Sequence, residues 1–325
     1  MMKSYLPHNG GLVAATETES KAFAPGTLWI DLWNPTQAER DAVNAALGME
    51  LPTRADMEEI EISSRLYSED GGLFMTVLVL ANSGTEKPMA GVVTFVLARE
   101  KLITIRYTDP QPFRTFEARC SRSMIGASKA ENVMMALLDV IVDRAADILE
   151  RAGAEIEITS QEIFDPDNIG HPIGSRDFQE VLRTLGRKHD LSGKIRESLL
   201  TIARMLAFLA QAMDTDPNKD VLPHVKMLTR DVQSLQDHLS YLASKLSYLL
   251  DATLGLINID QNNIIKIMSV AAMVFLPPTL IASIYGMNFK IIPELNWIDG
   301  YPYSIVLMVI SAIVPYIYFK RKGWL

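Results

Sequence analysis

The sequence predicts an α/β cytoplasmic domain joined by a long stalk helix to two C-terminal transmembrane helices. Residues 267–289 and 300–319 contain no charged side chain, and roughly 20 apolar residues are enough for a helix to cross about 30 Å of hydrocarbon. An apolar seam with heptad spacing runs without a break into the first of these segments. The first third of the chain carries short β-branched apolar runs separated by turns.

Residues 1–125 form the predicted α/β domain. Residues 1–23 mix Lys3, His8, Glu17, Glu19 and Lys21 with no apolar core, which does not fit a signal peptide. A domain placed ahead of the first span with nothing to export it is expected to stay in the cytoplasm. Residues 27–33 are apolar apart from Asp31, and residues 72–80 and 92–97 are β-branched. Residues 102–107 suit a strand paired with the latter across Arg99-Glu100-Lys101. Residues 35–47 and 53–60 open with Pro or Thr and read as short helices. Residues 126–220 turn helical: 130–151 is amphipathic throughout, and 176–213 supplies one or two further helices. Residues 155–159 suit a strand or a continuing helix equally. The turn Asp214-Thr215-Asp216-Pro217-Asn218 closes this region.

The stalk is assigned to residues 221–266. Val225, Leu228, Val232, Leu235, Leu239, Leu242, Leu246 and Leu249 alternate spacings of three and four, a seam of the kind that packs against partner helices. The seam then shifts to Leu250, Leu254, Ile257, Ile264 and Met268. At 1.5 Å per residue, a helix from Val225 to Tyr285 would be a rod of roughly 90 Å, bent at Pro277-Pro278. The first span is expected over residues 267–288, an external loop over 289–300, the second span over 301–319 and a basic tail over 320–325. Lys266 and Lys320-Arg321-Lys322 flank the spans, whereas the loop sets Lys290 against Glu294 and Asp299. Positive charge marks the cytoplasmic side, so both termini are expected inside.

Composition excludes several function classes. The 325 residues are 48% hydrophobic with mean hydropathy +0.11, as a large aqueous part joined to a small membrane part would give. A net charge of −8 argues against a nucleic-acid partner. One cysteine, Cys120, rules out a disulfide framework and a multi-cysteine metal site. His8, His171, His189, His224 and His238 have no metal-site spacing, and there is no phosphate-binding glycine loop. A membrane-tethered enzyme or sensor therefore lacks a catalytic constellation, and neither an enzyme nor a cofactor is expected.

Two helices cannot enclose a water-filled path, and a lipid-facing polar group is costly. Any polar role for Thr279, Ser283 or Asn288 requires identical subunits around an axis. The spans hold no Asp, Glu, Lys, Arg or His, hence no intramembrane proton relay or counter-ion. A small, strongly hydrated cation suits such a path, because it can keep its water, and Mg²⁺ gives up water reluctantly. A ring of Asn288 amides with Gly286 or Met287 carbonyls could accept hydrogen bonds from those waters. Apolar rings at Leu276, Met268 and Ile265 would gate by dewetting. The alternative is that Asn288 only caps the helix end, a common role for Gly and Asn.

Val274-Phe275-Leu276-Pro277-Pro278-Thr279-Leu280-Ile281-Ala282-Ser283-Ile284-Tyr285-Gly286-Met287-Asn288-Phe289 resembles the first membrane span of the CorA magnesium transporters. Pro293-Glu294-Leu295, Lys320-Arg321-Lys322 and Trp324-Leu325 are also similar to that family, as are Pro52-Thr53-Arg54, Glu58-Glu59-Ile60 and Ser63-Ser64-Arg65. The resemblance implies a funnel-shaped homopentamer in the bacterial inner membrane whose first spans line a pore. It implies Mg²⁺ carried inward down its gradient, with Co²⁺ and Ni²⁺ as further ions. Gly286, Met287 and Asn288 would then form the external selectivity filter, with Asn288 contacting the hydrated ion. Thr279 matches a deeper polar pore position, and Asn262 and Asp251 match polar and acidic rings near the cytoplasmic mouth. Ile265, Met268 and Leu276 match hydrophobic constrictions, with Leu276 standing where some relatives have Met. Glu294 matches a loop acid that attracts cations.

Such proteins also close when cytosolic Mg²⁺ binds acids between subunits. The candidates are Asp56, Glu58, Glu59, Glu61, Glu69 and Asp70 opposite Asp231 and Asp237, with a solvated acidic face as the alternative. A rival of the same fold is the ZntB-type zinc transporter. The intact Gly-Met-Asn and the lack of His or Cys around the pore favour magnesium, since Zn²⁺ prefers those ligands.

Overall fold

The computed structural model describes residues 1–15, 23–85, 88–120, 128–164, 178–214, 219–288, 290 and 292–324. Residues 215–218 of the expected turn, the start of the helix expected at Arg176, and Phe289 and Leu325 of the family-like segments lie outside them. Two compact units are present: Met1–Glu162 with Arg183–Tyr248, and Ile163–Leu182 with Leu249–Leu325.

The first unit is built on a seven-stranded sheet. Its strands are β1 (Met2–His8), β2 (Gly11–Ala14), β3 (Trp29–Trp33), β4 (Leu66–Glu69), β5 (Gly72–Ala81), β6 (Met89–Ala98) and β7 (Lys101–Arg106), in the order β2-β1-β3-β7-β6-β5-β4. All pairings are antiparallel except β3 with β7. β5 and β6 are nearly continuous apolar runs because both of their faces are covered. Arg99 and Glu100 adopt positive φ in the tight turn that joins β6 to β7, the hairpin expected there.

α1 (Gln37–Leu47) and α2 (Arg54–Glu58) each start with a capping box, Thr36 with Glu39 and Thr53 with Asp56. Val43, Leu47 and Met57 from these helices join Ile30, Leu32, Val96, Ile103 and Ile105 of the sheet in one core. A short helix, α3 (Ile62–Arg65), leads into β4. α4 (Gln111–Cys120) lays Phe113 and Phe116 into the interior, and Phe116 meets Trp29 edge-on at 5.3 Å between rings. Burial pushes the Cys120 thiol up to about 11, so this cysteine is a packed, unreactive side chain.

The parallel pairing of β3 with β7 gives Asp31 its partner. Arg106 Nε and Nη2 donate to the Asp31 carboxylate, at 2.9 Å for the shortest, and Thr104 Oγ1 donates at 2.7 Å. Both ions are about 98% withdrawn from solvent, with side-chain exposures of 2% and 1%. Arg106 also donates to Asp109 and lies against the rings of Trp33 and Phe113.

Two long helices follow, α5 (Ala130–Phe164) and α6 (Phe178–Asp214). Residues 155–159 therefore continue a helix. Ser198 and Thr201 of α6 cover the outer edge of β5, where β4 no longer pairs: Ser198 Oγ donates to the Leu78 carbonyl and Leu78 N–H donates to Thr201 Oγ1. An open strand edge is a site for unwanted pairing, and two hydroxyls close this one.

α7 (Leu222–Tyr285) is a single 64-residue helix that includes Pro277 and Pro278. Val225, Leu228, Val232, Leu239, Leu242 and Leu246 of its heptad seam are buried within the chain. Gly153 of α5 lies against Leu242, Glu157 pairs with Lys245, and Asp139 pairs with His224 at 2.9 Å. These pairs advance together along both helices, so α5 and α7 run parallel. The seam thus finds its partner helix within the same chain. The chain's own α5 occupies it, because an apolar stripe is satisfied by the first helix that can lie along it. The second unit adds a 3₁₀ turn (Pro293–Asn296) and α8 (Gly300–Arg321).

Candidate ion pathway

α7 and α8 are both long and apolar enough to cross a membrane, and their most apolar windows are only 6% buried. A soluble core helix of such composition would be covered. Two helices exposed in this way require another apolar phase around them.

The exposure of α7 is one-sided. Val270 is buried and Val274, Pro277, Pro278, Ile281 and Tyr285 are partly covered. At 100° per residue these positions form one stripe. Asp251, Asn262, Ile265, Met268, Leu276, Thr279 and Gly286 are exposed and fall within an arc of about 120° on the opposite side. From Asp251 to Gly286 the arc extends about 50 Å along the helix. α8 likewise has one covered stripe, Ser304, Leu307, Met308, Ser311, Ala312 and Pro315. The covered stripes are the surfaces that a hairpin buries, which leaves the candidate face of α7 unpartnered within one chain.

Thr279 is set up as an acceptor. Its hydroxyl donates to the Phe275 carbonyl at 2.7 Å, which spends the only proton and turns the remaining lone pair outward. Hydrated cations present water hydrogens, so an oxygen with no proton to offer is the right partner. Pro277 and Pro278 have no N–H, which releases the Met273 and Val274 carbonyls from their usual i+4 donors.

At the end of α7, Gly286 N–H donates to Ala282 at 2.9 Å and Met287 N–H to Ile284 at 3.3 Å. Neither Gly286 nor Asn288 has positive φ, so the left-handed cap allowed by the sequence does not form here. A Cβ on Gly286 would lie 3.1 Å from the Ala282 carbonyl, closer than most side chains tolerate. Asn288 is exposed and its amide makes no hydrogen bond with the described residues. Glu294 is half-covered in the 3₁₀ turn. The loop is held by Trp297 packed on Tyr303 and by Gly300, where a Cβ would stand 2.3 Å from the Glu294 carbonyl. Backbone contact of that kind needs glycine.

The acids considered for regulation are exposed, and two are engaged locally. Asp56 caps α2, and Glu58 pairs with Arg54 at 2.8 Å. The described contacts within one chain bring none of the six to Asp231 or Asp237. Among the described residues no three His, Cys, Asp or Glu side chains are grouped as a metal-holding set. Sequence reasoning missed Asp139 with His224, because the two lie on separate helices and share no motif.

A sheet-bearing α/β unit, a long helix and two apolar helices long enough to span a membrane are the parts of a membrane transport protein. The profile for the CorA-like Mg²⁺ transporter protein family matches residues 25–321. The chain is 35% identical over 326 residues to the magnesium transport protein CorA of Escherichia coli strain K12, covering all of both chains. It belongs to the CorA-like Mg²⁺ transporter family. Its fold matches the complete CorA magnesium transporter of Methanocaldococcus jannaschii with TM-score 0.79 and 19% identity, covering 100% of this chain and 99% of the other. The cytoplasmic domain of ZntB from Vibrio parahaemolyticus matches with TM-score 0.55 and 9% identity, over 79% of this chain and 97% of that one. That likeness extends to the fold alone.

Proposed function

We propose that this chain assembles as a homopentamer in the bacterial inner membrane, with both termini in the cytoplasm, and conducts Mg²⁺ passively into the cell. Co²⁺ and Ni²⁺ are its further ions. The first membrane span occupies residues 267–288, the external loop 289–300 and the second span 301–319. Five copies of the exposed arc of α7 line the path. Gly286, Met287 and Asn288 form the outer filter, where Asn288 accepts hydrogen bonds from the waters of the incoming ion. Thr279 repeats that contact deeper, and Leu276, Met268 and Ile265 supply the dry constriction. Asn262 and Asp251 line the cytoplasmic mouth, and Glu294 raises the local cation concentration outside. Cytosolic Mg²⁺ closes the pore by binding acids between subunits.

The observation that carries this reading is the arc itself. Polar groups that are costly in lipid share one face with the constriction residues, opposite the face the hairpin covers. Mg²⁺ keeps several of its waters when bound, and the arc offers oxygen acceptors in place of charged ligands. Mg²⁺ influx into liposomes carrying the full-length protein and an internal Mg²⁺-sensitive dye tests it. Rapid influx that Asn288→Ala abolishes, in a protein still assembled as an oligomer, is expected. Zn²⁺ uptake without Mg²⁺ uptake would overturn the magnesium assignment and favour the zinc branch.

A further inference from the structure

We propose that residues 320–324 are a folded receptor for the headgroup of an anionic phospholipid in the cytoplasmic leaflet. This rests on the topology proposed above. By charge alone the tail reads as a basic flag that sets orientation. The structure gives it a definite shape. Gly323 has φ of 68°, and around it two reverse bonds close: Trp324 N–H donates to the Phe319 carbonyl at 3.1 Å and Gly323 N–H to the Lys320 carbonyl at 3.2 Å. This is a Schellman helix end, which usually brings together the side chains that sit here at 319 and 324. They do meet, with the Phe319 and Trp324 rings 5.2 Å apart.

The reversal returns Trp324 to the level of the last helical turn. Tyr318 packs edge-on against Phe319 at 5.4 Å and extends the aromatic surface. Lys320 Nζ lies 6.0 Å from the Tyr316 ring centre and Lys322 Nζ lies 5.8 Å from that of Tyr318. The lysine stems therefore lie along rings, and their charges stay at the rim. None of Lys320, Arg321 and Lys322 pairs with a carboxylate among the described residues.

The depth of this cluster identifies the occupant. Residues 300–319 carry no charge, so the cations begin where the hydrocarbon ends. Tyr and Trp prefer that headgroup level. Three cations without a carboxylate partner among the described residues, walled by aromatic rings on the apolar side, complement a lipid that carries a net negative headgroup and an acyl chain. A free anion would have no use for the rings.

The test is quenching of tryptophan emission in vesicles carrying the full-length Trp297→Phe protein, with the W297F/W324F protein measured alongside to subtract the emission of Trp29 and Trp33. Phosphatidylcholine vesicles contain a matched fraction of either chain-brominated phosphatidylglycerol or chain-brominated phosphatidylcholine. Each basic residue near an anionic surface strengthens attraction by about fivefold, so the glycerol lipid is expected to associate at least fivefold more tightly. K320Q/R321Q/K322Q should lose that preference and K320R/K322R should keep it. For the wild-type tail, raising salt from about 0.01 to about 1 M shortens the screening length from roughly 30 to 3 Å and should erase the preference. That series decides the matter even if the glutamine variant fails to assemble. Equal quenching by the two lipids at low salt, or a preference indifferent to salt, would overturn the proposal. Mg²⁺ influx read on the same vesicles separates the two ideas. Influx without lipid preference removes this site alone, and preference without influx tells against the channel alone.

Discussion

At the scale of single residues, the chain contains two contrasting uses of polar chemistry. Asp31 and Arg106 are withdrawn from water and satisfied by each other, with Thr104 and Asp109 completing the set. Removing one member leaves a charge buried without its counter-ion, which costs about 3–5 kcal/mol. Asp31→Asn is expected to lower thermal stability accordingly, and Asp31→Leu with Arg106→Met to recover most of the loss in the same unfolding measurement. Thr279 and Asn288 are the opposite case: Thr279 is exposed on α7 and Asn288 is exposed just beyond its end, and among the described residues the bond of Thr279 to the Phe275 carbonyl is the one their side chains make. Thr279→Val keeps the shape and removes the outward acceptor. Loss of about one hydrogen bond of stabilisation predicts Mg²⁺ influx slowed by about tenfold in the liposome assay, with assembly unchanged. Asn288 stood out in the sequence as a candidate, but the absence of a left-handed cap there did not. That depends on the backbone angles at 286 and 288, which the residue types permit in either form.

Elements show how far local signals reach. The helices expected to open near Pro35 and Thr53, the β-branched runs of β5 and β6, and the two apolar C-terminal helices rest on contiguous sequence and are present in the structure. β1, β2 and β4 were missed. β1 carries Lys3, Ser4, Pro7 and His8, and β2 and β4 have four residues each. Short polar strands at a sheet's periphery are held by their neighbours and lack a pattern of their own. α4 was missed likewise, since its apolar residues take meaning only once Trp29 is beside them. The loop between the spans has a comparable hidden requirement at Gly300. A methyl group there would collide with the Glu294 carbonyl, and overpacking of this kind costs about 1–3 kcal/mol. Gly300→Ala is expected to loosen the turn holding Glu294, seen as faster amide exchange over residues 292–299 with both spans still protected.

For the whole molecule, the question is which surface joins copies. A heptad seam can join copies, but Leu242 and Leu246 of the α7 seam are buried against the same chain. Leu246→Ala should therefore cost about 2–5 kcal/mol as a core truncation, lowering the unfolding temperature while light scattering reports an unchanged assembly. Dissociation without destabilisation would mean that the seam faces other subunits after all.

The sequence by itself determined the order of parts: a sheet-bearing domain, long helices, two spans, a Gly-Met-Asn at the end of the first span and positive charge beyond the second. Hydropathy, capping and turn chemistry are properties of neighbouring residues, so the linear text contains them. The tertiary structure decided what each surface faces. It gave the seam to α5, Asp31 to Arg106 and the edge of β5 to two hydroxyls of α6, and it left one arc of α7 uncovered. Pairings between distant segments depend on which surfaces meet first at low cost, and no local pattern records the partner.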